Sequence, residues 1–319
     1  IPLVSQEEAS ELNLRLGRVR GEKMEEREHA VEHYRQVLSE RPDDARAVEA
    51  LESLLGRPDS AGMAAEILQP IYESKKDWPR LVRVLEVRAE TLEDTQEKVN
   101  TLHRVAEIYD QQLGHKDRAF AALRRAFRND SNREDVLAYM EKLAEQSASY
   151  DEMTAALEDA VSSQENPQQQ VFLLQTLAGL YRDRLRRPDL AATSLRRLLE
   201  VEPNHTAALS SLEVLYRDAK SLQDLAWVLF RQAEAARDPE KKRDLLVQVA
   251  QIREEQLGDL EGAIESYRQV FQAHPEDIHA AKQLDRLYQL TNRWEDEVEL
   301  LPKLAELSKN ILGVIDYNR

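Results

Sequence analysis

Residues 257–275 read LGDLEGAIESYRQVFQAHP. Ala263, Tyr267 and Phe271 fall four apart, so a helix sets all three on one face. Gly258 stands before that face and Pro275 after it, and both residue types stop helices. The stretch reads as one amphipathic helix between two breakers. Its small residue lets a neighbouring helix approach, and its rings fill the space beside it.

The same pattern recurs upstream. Ala191, Leu195 and Leu199 stand 72 residues earlier, and Ala119, Leu123 and Phe127 stand 144 earlier. Pro167, Pro203, Pro239 and Pro275 are 36 apart, and Gly114 and Gly258 are 144 apart. Trp78, Tyr150, Leu222 and Trp294 share one register; Tyr72, Tyr216 and Tyr288 share another, with Ala144 in the remaining place. Ala106, Ala178 and Ala250 align, as do Leu113, Leu185 and Leu257. Each 72-residue unit thus reads as four helices in two hairpins. Near the start, Ala30 and Tyr34 match Ala263 and Tyr267 at an offset of 233, which is 17 more than three units. The register recovers by Tyr72, so an added helix is expected near 56–71 behind the turn 56–62, with a kink or a three-helix unit there. The expected fold class is all-α, an α-α superhelix of about eight hairpins.

At these residues the chain resembles the tetratricopeptide repeat family. The stretch from Leu257 through Ala263 and Tyr267 to Pro275 looks like that family's second helix, as do Ala191, Leu195, Pro203 and Ala30, Tyr34, Pro42. Ala178 with Tyr181 and Leu284 with Tyr288 look like its first helix. The family repeat is 34 residues; the period here is 36, with one extra residue expected in the turns of the hairpins holding Ala178 and Ala250. The resemblance spans roughly residues 10–308. It implies a right-handed superhelix whose first helices line a concave binding wall. Sel-type repeats need more glycine than the nine present, and pentatricopeptide repeats, which read single-stranded RNA, are usually basic.

The charge points away from nucleic acid. The 319 residues carry 60 Asp and Glu against 44 Lys and Arg, a net charge of −16, whereas phosphate affinity comes from dense cations. No apolar run approaches the roughly 20 residues of a bilayer span. With no cysteine, disulfide scaffolds, thiolate zinc sites and Cys nucleophiles are excluded. The chain opens on Ile1-Pro2 without an initiator Met, which points to a fragment or a processed product; its placement is expected to be cytoplasmic, and the style of repeat resembles bacterial arrays.

Catalytic motifs are sparse. His29-Ala30-Val31-Glu32-His33 matches the H-x-x-E-H pattern of a zinc protease class, with two imidazoles four apart and Glu32 as base. The packing register explains it better, because Ala30 and Tyr34 are core positions and the histidines merely flank them. No G-x-S-x-G, phosphate loop or paired-glycine dinucleotide turn is present. No catalytic residue, metal site or cofactor is expected. Arg35, Arg124, Arg196 and Arg268 share a register as a ladder on second helices, and the favoured reading is a solvated face.

By the family's register, the groove-facing first-helix positions are His103, Glu107, Lys142, Gln175, Arg182, Arg217, Gln251, Glu254, Lys282 and Arg286. The places that hold a Lys/Asn carboxylate clamp in chaperone adaptors of the family, such as His103 with Glu107 and Gln175 with Gly179, lack that set. The expected function is a non-enzymatic scaffold or adaptor taking a protein or peptide segment in the groove, without nucleic acid or membrane insertion. A regulatory array answering a peptide or small ligand is the alternative, and zinc proteolysis a distant third. The helical pattern is expected to stop after Leu307, leaving 309–319 as an apolar tail that caps the last hairpin.

Overall fold

The computed structural model describes residues 5–317, with side chains described through residue 309. Seventeen helices and no strand make up the described residues, so the fold is all-α helical repeat. Two compact units divide the chain, Ile1–Gln164 and Glu165–Arg319. The first holds α1 (Gln6–Lys23), α2 (Arg27–Glu40), α3 (Ala45–Leu54), α4 (Ala61–Lys75), α5 (Trp78–Thr91), α6 (Thr95–Gln111), α7 (Lys116–Asn129), α8 (Glu134–Ser147) and α9 (Tyr150–Ser163). The second holds α10 (Pro167–Gly179), α11 (Pro188–Val201), α12 (Thr206–Asp218), α13 (Leu222–Ala235), α14 (Pro239–Gln251), α15 (Leu260–Ala273), α16 (Ile278–Leu290) and α17 (Trp294–Tyr317). Within each unit, successive helices pack against one another as stacked hairpins.

Local chemistry sets the ends. Ser5 and Glu8 form a reciprocal capping box on α1, and Asp44, Asp94 and Asp277 accept first-turn amides of α3, α6 and α16. The evenly spaced prolines have two roles. Pro167 and Pro239 open α10 and α14, where a missing N–H costs nothing; Pro203 and Pro275 lie just past α11 and α15.

The turns inside the hairpins repeat in backbone conformation. Lys76, Ala148, Lys220 and Asn292, each 72 residues from the next, have φ of 54° to 58°. Glu25, Gly114, Arg186 and Gly258 are also left-handed, at φ of 56° to 71°. Leu180–Arg184 and Ile252–Gln256 are π-turns ending α10 and α14, in the hairpins that hold Ala178 and Ala250. There Leu185 N–H reaches Leu180 C=O at 3.0 Å, and Leu257 N–H reaches Ile252 C=O at 3.1 Å.

The aligned small and large residues form the core. Ala106, Ala119, Ala250 and Ala263 are fully buried, and Phe127 and Tyr267 nearly so. Gly17 takes the place of Ala250 in α1, and a Cβ there would lie 2.7 Å from the Tyr34 ring. Residues 56–60 lie between helices, and 61–75 form α4, which carries the in-register Tyr72. Both α3 and α4 have their counterpart in α16: Ala47, Leu51 and Leu54 stand 233 before Ala280, Leu284 and Leu287, and Tyr72 stands 216 before Tyr288. Ala47 and Leu51 on α3 repeat the buried spacing of Ala64 and Leu68 on α4, which is why the pattern does not distinguish them. The other difference is at the end, where α17 continues through Tyr317 rather than stopping after Leu307. The expected capping contacts of 310–319 involve side chains outside the described residues.

Charged ties join hairpins around the register tyrosines. Arg196 donates to Tyr216 Oη at 2.6 Å and pairs with Asp224; Arg268 donates to Tyr288 Oη at 2.7 Å and pairs with Asp296 at 2.6 Å. In the first unit the same register is inverted: Tyr72 donates to Glu52, and Arg80 lies 3.5 Å from that carboxylate.

Candidate functional site

Two first helices of the first unit, α6 and α8, bring together three of the residues named from sequence. The His103 ring centroid is 5.5 Å from that of Tyr139, the planes tilted by 52°. His103 Nδ1 lies 3.9 Å from Glu107, which also accepts from Arg104 at 2.9 Å. Lys142 Nζ stands 5.3 Å from the Tyr139 ring centroid, a cation–π distance. Tyr139 donates its hydroxyl to Asp110 at 2.8 Å. Burial, and then that carboxylate, push the Tyr139 pKa up to about 12. At the start of α8, Arg133 grips Asp135 at 2.8 and 2.7 Å and donates to Asn100 on α6 at 2.8 Å. The Arg133 hydrogen bonds hold the Asp135 carboxyl at about 2. The result is a cluster of two touching rings with carboxylates at Glu107 and Asp110 and a cation at Lys142.

In the second unit, Arg286 on α16 pairs at 2.5 Å with Glu254, which sits in the second π-turn. Arg182 is in the other π-turn, 72 residues before Glu254, and pairs with its neighbour Asp183 at 2.8 Å. Arg217 spends its fork on Glu213, at 3.0 and 2.9 Å, and Glu213 also accepts from Gln232 of α13 at 2.8 Å. Both central arginines therefore carry an intramolecular counter-charge, which the register alone does not reveal. Gln175, Gln251 and Lys282 are exposed on α10, α14 and α16. The register does not single out Tyr139, Asp110 or Glu213 either. Tyr139 lies three residues from Lys142, and Asp110 three from Glu107, so helical spacing could have found them.

The ladder arginines divide. Arg196 and Arg268 are the hairpin ties, and Arg196 also lies 4.6 Å from the Trp227 ring centroid. Arg35 pairs with Glu32 on its own helix at 2.8 Å, while Arg124 lines a hollow of about 400 Å³ with Arg128 and Asp159. In the H-x-x-E-H string, His29 is exposed and His33 Nδ1 is 2.9 Å from Asn13 Oδ1. Burial pushes the His33 pKa down. Among the described residues no three His, Cys, Asp or Glu side chains are grouped to hold a metal ion, and no helix is long and apolar enough to cross a membrane.

Residues 244–277 match the tetratricopeptide repeat family. That span covers most of α14, its π-turn and α15. No curated protein matches the sequence. Among solved structures, the C-terminal part of a TPR repeat-containing protein from Cytophaga hutchinsonii is 15% identical, covering 79% of this chain and 98% of that one, at a TM-score of 0.31. PilF of Pseudomonas aeruginosa is 16% identical, covering 68% and 94%, at 0.30. A tetratricopeptide repeat protein from Parabacteroides merdae is 12% identical, covering 88% and 99%, at 0.25. At these scores the likeness says nothing of partners.

Proposed function

We propose that this chain is a non-enzymatic protein-interaction scaffold whose first-helix surface takes a peptide or protein segment. The observation that carries the reading is the α6/α8 cluster, where the tilted His103 and Tyr139 rings touch beside carboxylates and Lys142. Such a cluster suits an extended segment that lays an apolar or aromatic residue on the rings next to a basic one, since Glu107 and Asp110 lie at its edge. Part-buried aromatic anchors of this kind supply much of the affinity at protein interfaces. The same reading takes 1–308 as one run of 72-residue double units, and the recurring left-handed turns support it.

Selection of peptides from a random display library on the purified chain tests the proposal, with calorimetry on the enriched sequences. Enriched peptides should bind at least about tenfold more weakly to a His103→Ala/Tyr139→Ala variant, a loss of ~1.4 kcal/mol. Equal binding to both proteins would remove the cluster from the function. No enrichment at all would count against the scaffold reading.

A further inference from the structure

The joint between α7 and α9 lacks what closes the same joint one period later. Between α11 and α13, Arg196 has three partners. Its guanidinium lies 4.6 Å from the Trp227 ring centroid, donates to Tyr216 Oη at 2.6 Å and pairs with Asp224. Arg124 of α7 stands 72 residues before Arg196, but Ala155 takes the place of Trp227 and Ala144 that of Tyr216. Glu152 stands in the place of Asp224 and forms no ion pair with Arg124. Among the described residues, Arg124 has no hydrogen-bond, ion-pair or ring partner.

Space and charge differ in the same sense. Arg124, Phe127, Arg128 and Asp159 line a hollow of about 400 Å³ between α7 and α9. Their counterparts Arg196, Leu199, Glu200 and Arg231 line the corresponding hollow between α11 and α13, where Trp227 forms part of the wall and about 310 Å³ remains. There Arg231 pairs with Glu234 at 2.9 Å, so both arginines carry a counter-charge from within the chain. In the α7/α9 hollow two arginines stand with one carboxylate, Asp159, which is 3.5 Å from Arg128. The uncommitted Arg124 guanidinium therefore stands beside the buried side chains of Phe127, Ala156 and Ala160. A cation next to an apolar wall recognises a ring and an anion together.

We infer that the α7/α9 hollow binds an acidic peptide segment of a partner protein, which lays an aromatic side chain on Arg124 and sets a neighbouring carboxylate against the same guanidinium. The ring supplies the contact that Trp227 makes with Arg196, and the carboxylate supplies the one that Asp224 makes. Arg128, four residues along α7, shares that face and adds to the attraction for an acid. The site is separate from the α6/α8 cluster. That cluster suits a segment with a basic residue, whereas the hollow on α7 and α9 selects an acidic one.

Fluorescence anisotropy tests this with a labelled Gly/Ser peptide carrying Asp-Trp-Asp at its centre, titrated with the full chain at low ionic strength. Saturable binding is expected. Matched peptides with Asp-Ala-Asp or Lys-Trp-Lys should bind at least about tenfold more weakly, since each removes half of what Arg124 recognises. Two substitutions at exposed positions locate the site, with circular dichroism and melting to verify the fold. Arg124→Glu removes the guanidinium. Ala155→Trp changes no charge and fills the hollow with the ring that Trp227 supplies one period later. Each should weaken binding of the Asp-Trp-Asp peptide at least about tenfold. No binding of that peptide at millimolar protein, equal binding of either control peptide, or binding that survives either substitution would each overturn the inference.

Discussion

At the residue scale, the turns are where this chain carries avoidable strain. Six of the eight left-handed turn positions are not glycine, although a side chain in that conformation costs roughly 1–2 kcal/mol. Ala148→Gly should therefore raise stability by about 0.5–1 kcal/mol in urea unfolding, because at this position the backbone relief outweighs the added freedom of the unfolded chain. Gly114→Ala should lower it by about 1 kcal/mol. No atom lies within 4 Å of a Cβ built at Gly114, so that cost belongs to the backbone alone. Gly17 is the opposite case, required by contact. Gly17→Ala drives a methyl into the Tyr34 ring and should cost about 1–3 kcal/mol, with Gly17→Ala/Tyr34→Leu recovering part of it. Only Gly114 and Gly258 could be read from sequence as such turns. Lys76, Ala148, Lys220 and Asn292 are invisible to a composition rule, because the packed helices on either side impose their conformation.

At the element scale, the period in the apolar residues locates most helices, and it fails where the spacing is shared. The α3 and α4 helices bury the same Ala-then-Leu pattern, so the sequence marks an added helix without marking which one. The π-turns escape for a related reason. An extra residue widens the last turn of α10 or α14 without adding a breaker. The α6/α8 cluster is half legible: His103, Glu107 and Lys142 come from the register, but their meeting with Tyr139 depends on how α6 and α8 pack. The hairpin ties make a sharper prediction at this scale. Arg268→Glu should destabilise the second unit by about 1 kcal/mol, since it loses Tyr288 and faces Asp296. Adding Asp296→Arg should restore most of the loss, because Glu52, Tyr72 and Arg80 already hold that inverted arrangement in the first unit. Chemical denaturation of the two single variants and the double variant measures the coupling.

At the scale of the whole molecule, the two units treat their tyrosines differently. In the first, Tyr72, Tyr109 and Tyr139 donate to Glu52, Glu86 and Asp110; in the second, Tyr216 and Tyr288 accept from arginines. Burial and the carboxylates raise the three phenol pKa values of the first unit, Tyr139 to about 12. A pKa raised in the folded state gives stability that is complete below the unfolded value near 10 and is lost as pH climbs through the folded one. Burial also raises Tyr216, but Arg196 opposes it and would pair with the phenolate. Burial raises Tyr267 of the second unit to about 12 as well, so both units should lose stability between about pH 10 and 12. Trp78 reports the first unit, and Trp227 the second, in variants where the other tryptophans are replaced by phenylalanine. Stability of either unit unchanged up to about pH 12 would contradict this.

The inverted tie also gives the array an order. Hairpins in equal register look interchangeable by shape, since the same small and large residues recur in each. Moving the α4–α5 pair into the place of α12–α13 would nonetheless set Arg80 opposite Arg196, two cations on one tyrosine with no carboxylate between them. Duplication or loss of a whole period within this chain would therefore be tolerated where joint polarity matches and rejected where it does not. Charge at three joints acts as an address, fixing the sequence in which like modules succeed one another.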